Sequence, residues 1–304
     1  MLKFKVKYEL FSEDEMPYLY LILSVFLNSS SNVLGKIFTR RNDKNTDSTV
    51  FYSFILLSCV FVGWSVLYAV DFSFDAGVIL YSVIFAFCFM MSNVGRINAL
   101  KHGPAALTSL LVSLSLIVTT VWGFFFWNAP VTPIVIIGLS LVIVSMVLCL
   151  YDKGEKSEKR ISAKWLFFVL IAVFCNAGSS IIQRNQQLRY NGEHGNMLML
   201  FATGLSAIAY FIVYLRSDKR DNVKMLRSSG WLPMLAGACS VSLNLFLMLM
   251  VTADLSTSLI YPVIGAGSIA VVTIFSLAVF KEKMRIHQWI GIGVGAVAVV
   301  LLSL

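Results

Sequence analysis

The amino-acid sequence predicts an all-α integral membrane protein: ten transmembrane helices in two inverted five-helix repeats. Composition is the first reason. Of 304 residues, 58% are hydrophobic and only 13% charged, with a mean hydropathy of +0.81, whereas soluble domains carry about 25% charged residues. The second reason is that apolar runs recur along the whole chain, and about 20 such residues cross the hydrocarbon core of a bilayer. The third is an internal repeat. Val25-Phe26-Leu27-Asn28-Ser29-Ser30-Ser31 followed by Lys36 returns in register as Val173-Phe174-Cys175-Asn176-Ala177-Gly178-Ser179 followed by Arg184. A second constant offset pairs Val118 with Val271, Thr120 with Thr273, Gly138 with Gly291 and Val144 with Val297. The polar matches, Asn28 with Asn176 and Ser31 with Ser179, weigh most, because apolar helices resemble one another by composition alone.

The ten runs fall at roughly 17–38, 50–70, 76–99, 104–127, 132–151, 165–187, 196–215, 230–252, 256–280 and 285–304. Residues 1–16 form an N-terminal tail, 17–151 the first five-helix repeat, 152–164 a basic linker (DKGEKSEKRISAK from Asp152) and 165–304 the second repeat. In the tail, Leu2, Phe4, Val6 and Tyr8 alternate with Lys3, Lys5 and Lys7, which suits either an unstructured end or a segment lying on anionic lipid. Glu9, Glu13, Asp14 and Glu15 precede the first apolar run, an order unlike a cleaved signal peptide. Five spans per half is an odd number, so the halves must insert with opposite orientation.

The net charge of +8 arises largely from Lys and Arg in short connections between spans, where orientation signals belong. It is no sign of nucleic-acid binding. Arg40, Arg41 and Lys44 follow the first span, and Lys153 to Lys164, Arg216 to Arg227, and Lys281 to Arg285 occupy the other basic connections. The opposite connections are nearly free of cations, with Arg189 the exception, so the charge rule puts both termini outside. The basic tail argues for the reverse.

The five cysteines, Cys59, Cys88, Cys149, Cys175 and Cys239, lie in apolar runs without a C-x-x-C pair or a nearby histidine. That speaks against a metal site or a disulfide framework and for small packing residues. Histidines 102, 194 and 287 sit at connections, and the acids lie in loops or tails apart from Asp254 at a span boundary. No G-x-S-x-G turn or phosphate-cradling loop occurs. The chain therefore reads as neither an enzyme nor an ATPase, with no cofactor and no metal.

The end of each half carries a family resemblance. Ser256-Thr257-Ser258 opens a span with Pro262 in its first turns, and Val279-Phe280-Lys281-Glu282-Lys283 closes it. Gln288-Trp289-Ile290-Gly291 then begins a last helix containing Gly293 and Gly295. Gly103-Pro104-Ala105-Ala106-Leu107-Thr108-Ser109 and Gly138 are the fainter counterpart in the first half. This pattern resembles EamA-type transporters of the drug/metabolite transporter superfamily. The resemblance implies two five-helix repeats and alternating access around a site between them, and it opposes the outside placement of the termini. Ala129 stands opposite Glu282, so the first-half glutamate is missing. The first span offers Asn28 and Asn32 but no acid. The small multidrug-resistance branch carries a glutamate in that helix, so its proton-coupled export of cations is not implied here.

Polar groups at membrane depth mark pathways in transporters, since a charge at the bilayer centre costs about 2.5–3.5 kcal/mol on insertion scales. The candidate substrate-binding residues are Asn28, Ser31, Asn93, Arg96, Asn176, Ser180, Asn244 and Tyr261. Asn28 and Ser31 share one helix face, as do Asn176 and Ser180. Arg96 offers a planar fork of donors to an anion. Each has a competing structural reading: Asn and Ser as interhelical hydrogen bonders, Arg96 snorkelling to the interface, and Tyr261-Pro262 as a packed kink. Lys36 and Arg184 read as span-end cations. Gly291 and Gly295 form a G-x-x-x-G that suits a homodimer or internal packing.

The expectation is thus a multi-pass permease of the cell membrane that binds a small polar metabolite, an amino acid or a derivative being the first candidate. Its partners are that small-molecule substrate and the lipid bilayer, with no nucleic acid. Two alternatives stay open: a lipid or lipid-linked sugar translocase of the same fold, and a membrane scaffold that transports nothing.

Overall fold

The computed structural model describes residues 16–42, 48–70, 73–113, 115–127, 132–150, 162–191, 193–216, 219–252, 257–281 and 285–301. The tail before Met16 and most of the linker lie outside them. Every described regular element is a helix: α1 (Met16–Arg41), α2 (Ser48–Val70), α3 (Ala76–His102), α4 (Ala105–Ser113), α5 (Ser115–Phe126), α6 (Pro133–Leu150), α7 (Ala163–Arg189), α8 (Gly195–Leu215), α9 (Lys219–Ser229), α10 (Trp231–Thr252), α11 (Thr257–Ala278) and α12 (Ile286–Leu301).

Local chemistry sets the ends. The Asp75 side chain caps α3 by accepting from Gly77 N at 2.7 Å, and Ser162 caps α7 by accepting from Lys164 N at 3.2 Å. Each meets an amide that the first helical turn leaves unpaired. α3 ends at Gly103-Pro104, because a proline disfavours helical geometry in the residue before it.

All ten predicted runs carry helix. The run at 104–127 holds α4 and α5, which flank residue 114, a position outside the described residues. The one difference is that the connection holding Arg216 to Arg227, expected as a loop, contains α9. Its few apolar residues do not make a span, yet Met225 buries in the main core, which is enough to hold a polar helix on the bundle. α9 meets α10 at 65°. By length and composition, five described helices suffice to cross a membrane: α1, Ser48–Ala69 of α2, α3, α7 and α8. The bent pair Val223–Ser229 with Trp231–Leu247 makes a sixth if it is one span. Ile136–Ser145, Val263–Ala278 and Ile286–Ala298 are shorter apolar stretches.

The packing repeats itself when the halves are exchanged. The most extensive interfaces are α3 with α7, α6 with α12, and α1 with α10; α2 with α8 follows, then α1 with α11, α2 with α10 and α3 with α8. Swapping α1 for α7, α2 for α8, α3 for α10, α4–α5 for α11 and α6 for α12 turns each of these seven interfaces into itself or into another observed one. The smaller α11–α12 and α1–α3 contacts do not follow the swap. The halves thus interleave as a pseudo-two-fold pair. Close backbone approach makes this possible. A β-carbon on Gly95 of α3 would stand 2.7 Å from Ala172 N and Phe168 O of α7, and one on Gly237 of α10 would stand 2.9 Å from Leu56 O of α2. α6 and α12 pack on each other at the side, where the Ser145 hydroxyl donates to Gly291 O at 2.7 Å.

Candidate functional site

Where the halves meet, α1, α3, α4, α7 and α10, with Leu56 of α2, enclose a cavity of about 310 Å³. Its wall carries Asn28, Ser31, Asn32, Ser92, Asn93, Arg96, Thr108, Ser109, Asn176, Ser240 and Asn244, beside apolar Leu27, Leu56, Phe89, Val112 and Leu243. These polar side chains come from both halves.

Most are held in place by bonds that use part of their donor capacity. Asn28 Nδ2 donates to Ser268 Oγ of α11 at 3.0 Å, and Ser268 donates onward to Val25 O at 3.4 Å. Asn176 Nδ2 donates to Ser115 Oγ of α5 at 2.8 Å. Asn93 and Asn244 turn their Nδ2 groups back to Phe89 O (3.0 Å) and Ser240 O (2.8 Å) on their own helices. Asn32 Nδ2 reaches Asn28 O at 3.1 Å, and its Oδ1 accepts from Arg96 Nη1 at 3.1 Å. Arg96 Nη2 donates to Asn93 Oδ1 at 3.4 Å. The amide oxygens of Asn28 and Asn244 accept nothing from the described protein. They stand as acceptors at the wall.

Of the eight sequence candidates, the fold brings together Asn28, Ser31, Asn93, Arg96, Asn176 and Asn244. Ser180 does not line the cavity: its hydroxyl donates to Asn176 O at 3.2 Å, the usual resort of a serine within a helix. Tyr261 lies in α11, but its side chain is outside those described. Arg96 is turned inward rather than snorkelling outward, because Asn32 of α1 and Asn93 one turn earlier accept from its guanidinium.

Asn32, Ser92, Thr108, Ser109 and Ser240 complete the polar wall, and the sequence did not single them out as a site. Ser268 and Ser115 act behind it, and only their partners in the fold reveal them. Among the described residues no group of three His, Cys, Asp or Glu could hold a metal ion.

A second cavity, of about 360 Å³, lies near the start of α3 and the end of α7, lined by Gly77, Leu80, Tyr81, Ile84, Ile182, Arg189 and Tyr190. Its wall is mostly apolar. There the Tyr190 hydroxyl donates to Asp75 Oδ1 at 3.3 Å and ties the second half to the first.

The EamA-like transporter family matches residues 15–151 and, a second time, residues 163–304. The chain belongs to this family. An EamA-like transporter built of two family repeats is a multi-pass, helical membrane protein of the drug/metabolite transporter type, and the cavity lies between its repeats. One crystal structure, described only as that of a protein, shares the fold with a TM-score of 0.60 at 12% identity, over 94% of this chain and 96% of its own. No curated protein sequence matches.

Gly291 and Gly295 of this EamA-like chain face inward. A β-carbon on Gly295 would lie 2.5 Å from Leu110 Cδ1 and 2.6 Å from Ser145 Oγ. A homodimer through α12 would therefore use its other side, where Ile286, Trp289, Ile290, Val297 and Val300 are exposed.

Proposed function

We propose that the protein is a secondary transporter of the cell membrane that moves a small polar metabolite by alternating access. Its ten spans form two inverted five-helix repeats that rock about the central cavity. The observation that carries this reading is a polar cavity walled by both repeats, with Asn28 and Asn176, counterparts in sequence, both on its wall. Substrate sites of inverted-repeat transporters lie near the bilayer midplane at the repeat interface.

At about 310 Å³ the cavity stands at the lower end of small-molecule sites, which run from about 300 to 1,000 Å³. That favours a metabolite of amino-acid size over a lipid-linked sugar. The polar wall favours transport over a scaffold role, which needs no hydrated centre. An amino acid or derivative is the first candidate.

The test is flux in proteoliposomes made with the full chain. Replacing Asn28 and Asn176 together by Ala should reduce uptake of a transported metabolite by about tenfold or more in a variant that still folds, each lost hydrogen bond being worth about 0.5–1.5 kcal/mol. Undiminished flux from a folded double variant would remove this cavity from the transport path.

A further inference from the structure

Among the side chains lining the central cavity, Arg96 is the one of a charged type. No carboxylate pairs with it among the described residues. A guanidinium has five N–H donors, and the protein engages two: Nη1 by Asn32 Oδ1 and Nη2 by Asn93 Oδ1. Both partners are neutral and come from different helices, and Asn32 and Asn93 are themselves fixed by Asn28 O and Phe89 O. The head group is thus oriented without being neutralised.

Lys36, on the same helix as Asn32, does not share this role. Its ammonium is buried and donates to the carbonyls of Leu100 and Gly103 at the end of α3. The second half supplies no matching cation. Setting Asn244 of α10 against Asn93 of α3 puts Leu247 in the place of Arg96, and Leu247 packs into an apolar cluster with Leu21, Met250 and Ile264. The cavity therefore has one cationic pole, and the amide oxygens of Asn28 and Asn244 are left to accept from donors elsewhere on a ligand.

We infer that the substrate is an organic anion whose carboxylate or phosphate group docks on Arg96, held in line by Asn32 and Asn93. This rests on the transport reading and adds to it the charge and orientation of the substrate. Arg96 is half-buried, so water compensates its unpaired charge only in part, and Arg–carboxylate and Arg–phosphate pairs are the strong, bidentate kind. Arg96 is thus a specificity-determining residue: neutral analogues of the same shape forgo that pair.

The experiment is thermal unfolding of the purified full-length protein in neutral detergent at constant ionic strength. Sodium chloride is replaced stepwise by sodium acetate, lactate or phosphate, with lactamide as the uncharged match for lactate. Wild type should be stabilised by lactate and not by lactamide. Acetate and lactate acting without phosphate assign a carboxylate, and phosphate acting alone assigns a phosphoryl group. Arg96→Gln should weaken the apparent affinity by about tenfold or more, Arg96→Lys should retain part of it, and Asn93→Ala, which keeps the charge, should lose a smaller factor.

The inference is overturned if none of the three anions raises the wild-type midpoint, if lactamide matches lactate, or if Arg96→Gln responds as wild type does. Should Arg96→Gln not fold, the Arg96→Lys and Asn93→Ala titrations carry the same decision. Proteoliposome flux separates the two readings. Anion binding at Arg96 without flux would leave the site and remove transport, whereas flux of neutral solutes with no anion effect would leave transport and remove the anion.

Discussion

Lys36 shows how far a single residue can depart from its sequence context. Two residues before the end of an apolar run, followed by Arg40 and Arg41, it reads as an interfacial cation. In the fold it is 6% exposed, and its ammonium crosses to the Leu100 and Gly103 carbonyls. Those carbonyls lie where α3 has run out of partners, and a cation there satisfies both their hydrogen-bonding need and the negative end of the helix dipole. Lys36→Met, which keeps length and apolar stem, should cost about 1–3 kcal/mol because a buried acceptor is left unmatched. Thermal unfolding in detergent measures it, and an unchanged midpoint would mean water replaces the ammonium without penalty. Arg40 behaves as expected of a span-end residue: its guanidinium lies 4.8 Å from the Phe280 ring centroid and donates to Phe280 O at 3.0 Å. Asn28 and Asn176 were legible as a pair because a polar residue in a span is conspicuous, and more so when repeated. Their partners Ser268 and Ser115 were not, since serines are common in spans and nothing local marks which one faces an asparagine.

Among the elements, the helix pairs that join the halves depend on glycines at the crossing points. Membrane helices lack a hydrophobic driving force toward one another and gain by close packing, which small residues allow. Gly95→Ala places a methyl group against the backbone of α7 at 2.7 Å. Neither side can yield as a flexible side chain would, so the variant should lose about 1–3 kcal/mol, as overpacked cores do. Gly293 of α12 has nothing within 4 Å of the same methyl position. Gly293→Ala should be neutral or gain up to about 1 kcal/mol from helix propensity. Unfolding midpoints of the two single variants, measured side by side, decide it. Equal shifts would show that α3 and α7 do not meet where the structure puts them. The absence of α9 from the sequence reading has a simple cause. Hydropathy finds spans, and α9 is a polar helix anchored by few apolar side chains, Met225 chief among them.

For the whole molecule, the inverted arrangement makes a geometric prediction. If the repeats are opposed, the starts of α1 and α7 lie on opposite faces of the membrane. Tyr18, 53% exposed, and Lys164, also exposed, stand near those two starts. Single cysteines at the two positions, in a chain otherwise cleared of cysteine, should be labelled by an impermeant thiol reagent from opposite sides of intact vesicles. Labelling from one and the same side would make the repeats parallel and remove rocking about a midplane axis. The same measurement fixes which way the termini face, where loop charge and the basic tail point in opposite directions.

Composition, the recurrence of apolar runs and the repeated Val-Phe-x-Asn pattern suffice, by themselves, to determine a helical membrane protein with two family repeats. These are properties of chain segments: insertion into lipid depends on summed hydropathy over a span, and a repeat is visible wherever its residues are. Tertiary structure alone decided which polar side chains meet. Six of the eight candidates reach one cavity because α3 and α7, and α2 and α10, cross at glycines, while Ser180 turns back to its own helix and Arg96 turns inward to Asn32. Such outcomes depend on rotation of each helix about its axis, set by contacts with neighbours distant in sequence, and no local pattern encodes them.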